Sequence, residues 1–340
     1  MCPTRLTTER LTLRPLEVGD ALALASALAN PMVAQWLNVP EPYRLQDAEQ
    51  FLARTAAKPG FWAICDPELI GVISLRPGLG LGYWLAQSHW GRGLMFEAVR
   101  AVLRYRFGQS DLPVISGHHP DNQRSRRVLL AFGFRDADQI EVRTVKSQRL
   151  QTVQRMQLTI ANWRFASDPR IETRNLVLSP LLAGDAPRLS EIGNDAGLAR
   201  MLASVPHPFS PDDALAWMGD NRWRGRPGFR WGVRLKSGPL IGMVALGGTP
   251  VSTAYWIARD YQRHGYGAEA MSAFLGEMLP RLNLSQITAD AFTDNTASHA
   301  LLRKLGFRKT GEGIGHSKAR VEPGAVFTYR MERTGGAGLT

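Results

Sequence analysis

Apolar and polar positions alternate along this chain in a fixed order, and the order is run through twice. Residues 10–14 and 175–179 alternate with the period of a strand. Each is followed by an acidic turn, at Gly19-Asp20 or Gly184-Asp185, and then by helical segments reaching about residue 57 or 221. Apolar stretches bounded by Gly and Pro come next: "FWAICD", "LIGVISL" and "LGYWLA" in the first run, "FRWGVRL", "LIGMVAL" and "TAYWIA" in the second. They predict neighbouring antiparallel strands. Leu94, Val99, Val102 and Leu103 then keep an apolar stripe at helical spacing. A short strand (113–117; 286–291), a helix stopped by Gly133 or Gly306, and a final strand pair close each run. The expected class is mixed α/β, α+β in the make-up of its sheet.

The repetition extends to the letters. "ERLTLRPLEVGDA" (9–21) matches "RNLVLSPLLAGDA" (174–186), and "VPEPYRLQDA" (39–48) matches "VPHPFSPDDA" (205–214). "YWLAQSHWGRGLMFEAVRAVL" (83–103) matches "YWIARDYQRHGYGAEAMSAFL" (255–275), and "DNQRSRRVLLAFGF" (121–134) matches "DNTASHALLRKLGF" (294–307). Four blocks in one order at this long a period mean a tandem duplicated domain, not a solenoid. The expected boundaries are 1–161 and 171–333, with a linker over "NWRFASDPR" (162–170) and a disordered tail over 334–340. Duplication of this kind also predicts an internal pseudo-dimer of the two copies.

Composition narrows the class. The 340 residues are 44% hydrophobic and 21% charged, as in a soluble globular protein. No apolar run approaches the roughly 18–20 residues that span a bilayer. The opening "MCPTRLTTERL" has no signal-like pattern, so a cytoplasmic protein is expected. Cys2 and Cys65 form no CxxC pair, which argues against a disulfide framework or a thiolate metal site. The net charge of +11 is spread evenly over both halves, without a basic tail or arm. It suits anionic ligands such as polyphosphates and is compatible with an RNA-rich neighbourhood, but does not by itself identify a nucleic-acid binder, and nucleic acid is an unlikely partner.

The most informative segment is a glycine turn between a strand and a helix. It holds Gly91, Arg92, Gly93, Leu94 and Met95 in the first copy, and Arg263, His264, Gly265, Tyr266 and Gly267 in the second. A helix entered this way leaves its first N–H groups unpaired, and these, with the helix dipole, suit phosphate oxygens. The glycines let the backbone approach a ligand and adopt positive φ. The other glycine cluster, "GLGLG" (78–82), reads as a plain strand connection.

Gln262, Gly265 and Gly267, in Q-x-x-G-x-G order ahead of a helix, resemble the acyl-CoA-binding motif of the GNAT N-acetyltransferase superfamily. The D-N-x-x-S-x-x-x-L-x-x-x-G-F pattern resembles it too. The V-P-x-P-[YF] segments and the "GYWLA…WGRGLM" phrase are similar to its RimJ/RimL-like branch. In the first copy Trp90 replaces the glutamine and Met95 the last glycine, although Met95 still offers a main-chain N–H.

The resemblance implies a GNAT fold in each copy and acetyl transfer from acetyl-CoA, as co-substrate, to an amine, with no metal. It implies that main-chain N–H groups at Leu85-Ala86 and Ile257-Ala258 polarise the thioester carbonyl. Ser125 and Ser298 would protonate the leaving thiolate, while Asn122 and Asn295 would steady CoA or a water. Serine or asparagine at these places also serves as a helix cap. Tyr329 is a second candidate acid, although a strand tyrosine is more often packing. Asp290, at the end of a strand, is the candidate base through water; the first copy has Gly117 there, with His118 and His119 as alternatives.

An α-amine titrates near 7.7–8.0 and a lysine amine near 10.4, a difference of roughly 3.5 kcal/mol in freeing the amine. A site without a conspicuous base therefore suits an α-amine, of a protein N-terminus or a small molecule. The V-P-x-P-[YF] segments, with Trp36, Tyr43, His207 and Phe209, are expected to cover the acceptor end. A different class, an acyl-CoA-binding sensor with one or both copies inactive, fits the same motifs.

Overall fold

A computed structural model describes residues 5–56, 58–76 and 80–333. Cys2, the first residues of "GLGLG" and the expected tail at 334–340 lie outside the described residues. The chain divides between Ser167 and Asp168 into two compact units.

The first unit runs β1 (Leu6–Thr7), β2 (Thr12–Arg14), α1 (Ala21–Leu28), α2 (Pro31–Ala34), α3 (Leu45–Thr55), β3 (Phe61–Cys65), β4 (Leu69–Arg76) and β5 (Gly80–Leu85). It continues through α4 (Leu94–Phe107), β6 (Val114–His118), α5 (Gln123–Ala131), β7 (Arg135–Arg143), β8 (Leu150–Leu158) and α6 (Ile160–Ser167). The strands form one eight-stranded sheet in the order β1-β2-β3-β4-β5-β6-β8-β7. Leu94, Val99, Val102 and Leu103 of α4 pack with Trp62, Ile64 and Ile73 on one face. Leu24, Leu28, Ala48 and Leu52 of α1 and α3 cover Ala63, Cys65 and Val72 on the other. Alternate residues of β3 thus feed two cores, as strand periodicity requires.

Two local expectations change. Gly80 and Gly82 of "GLGLG" belong to β5 and are not loop residues. The stretch expected as a linker is helical as far as Ser167, because Trp163 stacks on Phe107 at 5.9 Å and lies 6.0 Å from Phe132. Gly133, at φ +91°, lets the backbone at Asn162 approach where a Cβ would sit 2.7 Å from its oxygen.

The second unit repeats the plan: β9 (Ile171–Glu172), β10 (Leu176–Pro180), α7 (Ala186–Gly193), α8 (Ala196–Ala199), α9 (Pro211–Met218), β11 (Phe229–Leu235), β12 (Leu240–Gly247) and β13 (Ser252–Ile257). Then come α10 (Tyr266–Arg281), β14 (Gln286–Phe292), α11 (Thr296–Lys304), β15 (Arg308–Gly315) and β16 (Gly324–Glu332). Phe229 and Trp231 meet Phe274 of α10 on one face, and Met243 joins Leu189, Phe209 and Met218 on the other.

Each sheet is antiparallel except at one joint. Among the described residues β5 and β6 run parallel and share a single bridge, Leu81 with Ser116, and β13 and β14 share only Ser252 with Thr288. Beyond that bridge the strands part, and the opening lies beside the turn that leads into α4 or α10.

Candidate active site

The strand-to-helix turn has the geometry its letters ask for. Gly93 and Gly265 precede α4 and α10 at φ +77° and +84°, and no side chain caps either helix. Position 91 is glycine at φ +77°; its counterpart Arg263 takes φ +64°, an uncommon conformation for a residue with a Cβ. The first helical bonds run from Glu97 N to Gly93 O (3.1 Å) and from Glu269 N to Gly265 O (3.0 Å). Six consecutive main-chain N–H groups in each unit, at 91–96 and 263–268, therefore find no partner among the described residues. That is a nest of donors at the positive end of a helix, a fit for the oxygens of a diphosphate.

The first turn of each helix is held by its glutamate. Glu97 accepts from Thr8 Oγ1 and from Arg10 N and Nε at 2.8 Å, and Glu269 accepts from Thr173 Oγ1 (2.6 Å), Asn175 N (2.8 Å) and Asn175 Nδ2 (2.9 Å). Burial opposes ionisation of both carboxyls, but these donors outweigh it and hold them below the usual range. Met95 packs against the first core, whereas Gly267 leaves that space open to Leu301 and Ile257.

The strand ends reveal an equivalence invisible in the letters. Gln262 Nε2 donates to Ile257 O at 2.9 Å, and Trp90 Nε1 donates to Leu85 O at 2.8 Å. The substituted motif position keeps its bond. Of the two amides expected to face the thioester, however, only one is free in each unit. Ala86 N donates to Ile70 O (2.8 Å) and Ala258 N to Ile241 O (2.7 Å), so neither amide can serve as an oxyanion donor. Alternation along an antiparallel ladder turns the neighbouring Leu85 and Ile257 N–H groups the other way, toward the opening between the parallel strands.

Asn122 and Asn295 cap α5 and α11: their side-chain oxygens accept from Ser125 N and Ser298 N at 3.1 Å. The capping role falls to the asparagines and leaves both serine hydroxyls available. Each hydroxyl meets a tyrosine that sequence reading passed over. Tyr83 Oη lies 3.0 Å from Ser125 Oγ, and Tyr255 Oη 2.8 Å from Ser298 Oγ. Burial pushes both phenols above their ordinary range, so they remain protonated and able to donate. The one signal for them was that "YW" recurs in both copies. Tyr329, by contrast, is 1% exposed and bonded to His299 Nδ1 at 2.9 Å, a core pair away from the opening.

In the second unit one cleft of about 1480 Å³ gathers Ile257, Gln262, Arg263, Gly265, Gly267, Asp290, Asn295 and Ser298. Asp290 is open to the cleft, yet the surrounding protein raises its carboxyl above the ordinary carboxylate range. His264 and Tyr266 stack on each other at 5.7 Å instead, and Ala258 is buried in the core. In the first unit His118 is buried, with Nδ1 donating to His119 O at 2.7 Å and Arg126, itself paired with Asp136, at 3.5 Å from Nε2. Burial lowers both imidazoles; His119 is the more open and lies 6.3 Å from Trp36. Tyr43 and Phe209 do not cover an acceptor site. They are 7% and 0% exposed and anchor the α1–α3 and α7–α9 layers, while Ser204 and Val205 line the cleft.

The profile of the family described as "Acetyltransferase (GNAT) domain" matches residues 10–135 and again 175–308. The chain belongs to the GNAT acetyltransferase family, with the domain present twice. Among its relatives is the uncharacterized N-acetyltransferase YoaA of Bacillus subtilis, 30% identical over 155 residues, covering 42% of this chain and 85% of that protein. The [ribosomal protein uS5]-alanine N-acetyltransferase of Escherichia coli is 30% identical over 152 residues, 38% of this chain and 77% of its own. Of solved structures, the ribosomal-protein-S5-alanine acetyltransferase from Vibrio fischeri aligns with a TM-score of 0.41 at 20% identity, over 48% of this chain and 97% of that one. The GNAT chain is thus an enzyme of the N-acetyltransferase class, and no helix among its described residues is long and apolar enough to cross a membrane.

Proposed function

We propose that this GNAT chain transfers acetyl groups from acetyl-CoA to a primary amine, with each unit forming a domain that holds its own cofactor turn. The observation that carries the reading is the run of six unpartnered amides set beside a tyrosine–serine pair at the parting of two parallel strands. Acetyl-CoA supplies an activated acyl group on a thiol leaving group. The amides at 263–268, with Arg263 and His264 nearby, hold its diphosphate. Gln262 holds the carbonyl of Ile257, which lies on the same side of the strand as that residue's own N–H, the donor that faces the opening. A main-chain donor aimed at developing negative charge is worth roughly 10²–10³ in rate. Tyr255 donates to Ser298, which turns the serine proton outward to the departing sulfur. Asp290 accepts the proton of the amine through water. The corresponding first-unit groups are the amides at 91–96, with Arg92 nearby, then Trp90, Leu85, Tyr83 and Ser125.

An α-amine is the favoured acceptor. The site has one modest base, and an α-amine is easier to free than a lysine amine by roughly 3.5 kcal/mol. The name of the Escherichia coli relative, which gives an alanine of a ribosomal protein as acceptor, supports a protein N-terminus. Calorimetric titration with CoA and thiol release over a panel of α-amines, lysine side chains and small amines test the reading. Tight CoA binding with turnover of α-amines is the expected result. Binding without turnover of any amine would identify a sensor instead, and faster turnover of lysine would overturn the acceptor.

A further inference from the structure

The sheet floor of the second cleft carries two charges on one row. Arg230 of β11 pairs with Ala245 of β12, and Ala245 with Ala254 of β13. The bridge between Ser252 and Thr288 sets the parallel register and continues the row to Asp290, which lies opposite Thr328 of β16. Residues in one row project from the same face. Phe229 and Trp231 take the opposite face against α10, so the row looks toward α9, where the Arg230 guanidinium lies 4.6 Å from the centre of the Trp217 ring. Between the two charges stand only the methyl groups of Ala245 and Ala254, and Ala254 is exposed. Three strand steps separate them, at least about 14 Å between Cα atoms because β13 and β14 part beyond their bridge.

Neither charge has an ion-pair or hydrogen-bond partner for its side chain among the described residues; of the other cleft charges, Arg259 lies 3.5 Å from Asp195 and Asp294 takes Arg200 and Arg320, while Arg263 belongs to the amide turn and Lys304 to the end of α11. Burial by itself weakens the hold of Arg230 on its proton, a cost that an anion beside it would relieve. The first unit offers no such pattern. Its row reads Phe61, Ser74, Gly82, Gly117 and Arg155, and Arg155 is paired with Asp138.

We infer that the second unit selects peptide N-termini with an acidic side chain at the third to fifth residue, the amine facing Asp290 and the acid facing Arg230. An extended peptide advances about 3.3 Å per residue, so these positions lie about 7–13 Å from the amine, and the acidic side chain and the Arg230 side chain span the remainder. The inference takes the place of the amine from the acetyl-transfer reading. The chain's surplus of positive charge works in the same direction, drawing acidic segments toward the protein.

The test uses the full chain with CoA and two six-residue peptides that differ only in glutamate or glutamine at the fourth residue. Affinity is read by fluorescence anisotropy and turnover by thiol release. The glutamate peptide binds about tenfold or more tightly to the wild type, and the gap narrows as salt is raised. In Arg230→Met the two peptides bind within about twofold of each other, and Arg230→Lys retains part of the gap. Equal affinities in the wild type, or a gap that survives Arg230→Met, would overturn the inference. An affinity gap without thiol release supports acid selection and overturns acetyl transfer. Equal affinities with normal thiol release do the reverse.

Discussion

Trp90 Nε1 and Leu85 O are joined by a 2.8 Å hydrogen bond that stands in for the glutamine bond of the second unit. An indole and a carboxamide thus perform one task, satisfying the last carbonyl of the strand and fixing the strand end beside the opening. Trp90→Phe keeps an aromatic ring and removes the N–H, and Gln262→Leu removes the amide. Each is expected to weaken CoA binding in its own unit about five- to tenfold, the worth of one hydrogen bond. Calorimetry on the two variants checks this; a silent Trp90→Phe would make the indole a packing group alone.

In the proposed mechanism Tyr255 acts through Ser298, so the two substitutions should differ in size. Ser298→Ala is expected to lower the second unit's kcat about a hundredfold, and Tyr255→Phe about tenfold, with KM for the amine little changed in both. Steady-state thiol release in a Ser125→Ala background isolates the second unit. An effect of Tyr255→Phe on KM alone would reduce the tyrosine to a packing role.

Asp290 predicts a pH dependence. Desolvation by the protein around the cleft raises its carboxyl above the ordinary carboxylate range, so the proposed base is lost as pH falls through that raised value. The rate of the second unit should fall on the acid side with an inflection above 3.9, the usual aspartate value. Asp290→Asn should abolish this limb and lower the plateau about a hundredfold. The stability sign is opposite. A raised carboxyl costs the folded state stability above its pKa, so Asp290→Asn should raise Tm at pH 7 while activity drops. Scanning calorimetry and pH–rate profiles read the two effects separately.

Glu97 and Glu269 run the other way. Their folded values lie below the usual range, so each contributes stability fully above about 4.3, the unfolded glutamate value, and loses it as pH falls through the folded one. Glu269→Gln should flatten the decline of Tm below that pH and leave the decline attributable to Glu97. A parallel acid limb in wild type and variant would contradict the assignment.

The duplication, the element order and the glycine turn were legible because each is a matter of spacing along the chain, and spacing survives in the letters. Asn122, Ser125, Asn295 and Ser298 were found the same way, although the structure divides capping from hydroxyl chemistry between them. The tyrosine partners were not, because Tyr83 and Ser125 come from separate elements and meet only when β5 lies beside α5. Trp90 read as a defect because a one-letter comparison does not register that two different side chains can present the same N–H. The helix at Ile160–Ser167 was read as linker because Asp168 and Pro169 follow it closely, and the packing of Trp163 on Phe107 that holds it joins residues far apart in the chain. Ala86 and Ala258 were misjudged for want of ladder phase: a strand offers alternate amides to alternate sides, and only register tells which.

The single bridge joining Ser252 to Thr288 leaves the second sheet as two half-sheets meeting along a seam. A slender molecule bearing amides of its own can lie in that seam as a surrogate strand and complete the ladder that the polypeptide leaves unfinished. Occupancy would then be a structural event as well as a catalytic one. Ligand at a hundred times its Kd would add about 2.7 kcal/mol to the unit that holds it, and slowed amide exchange at Ile257 would report the seam closing.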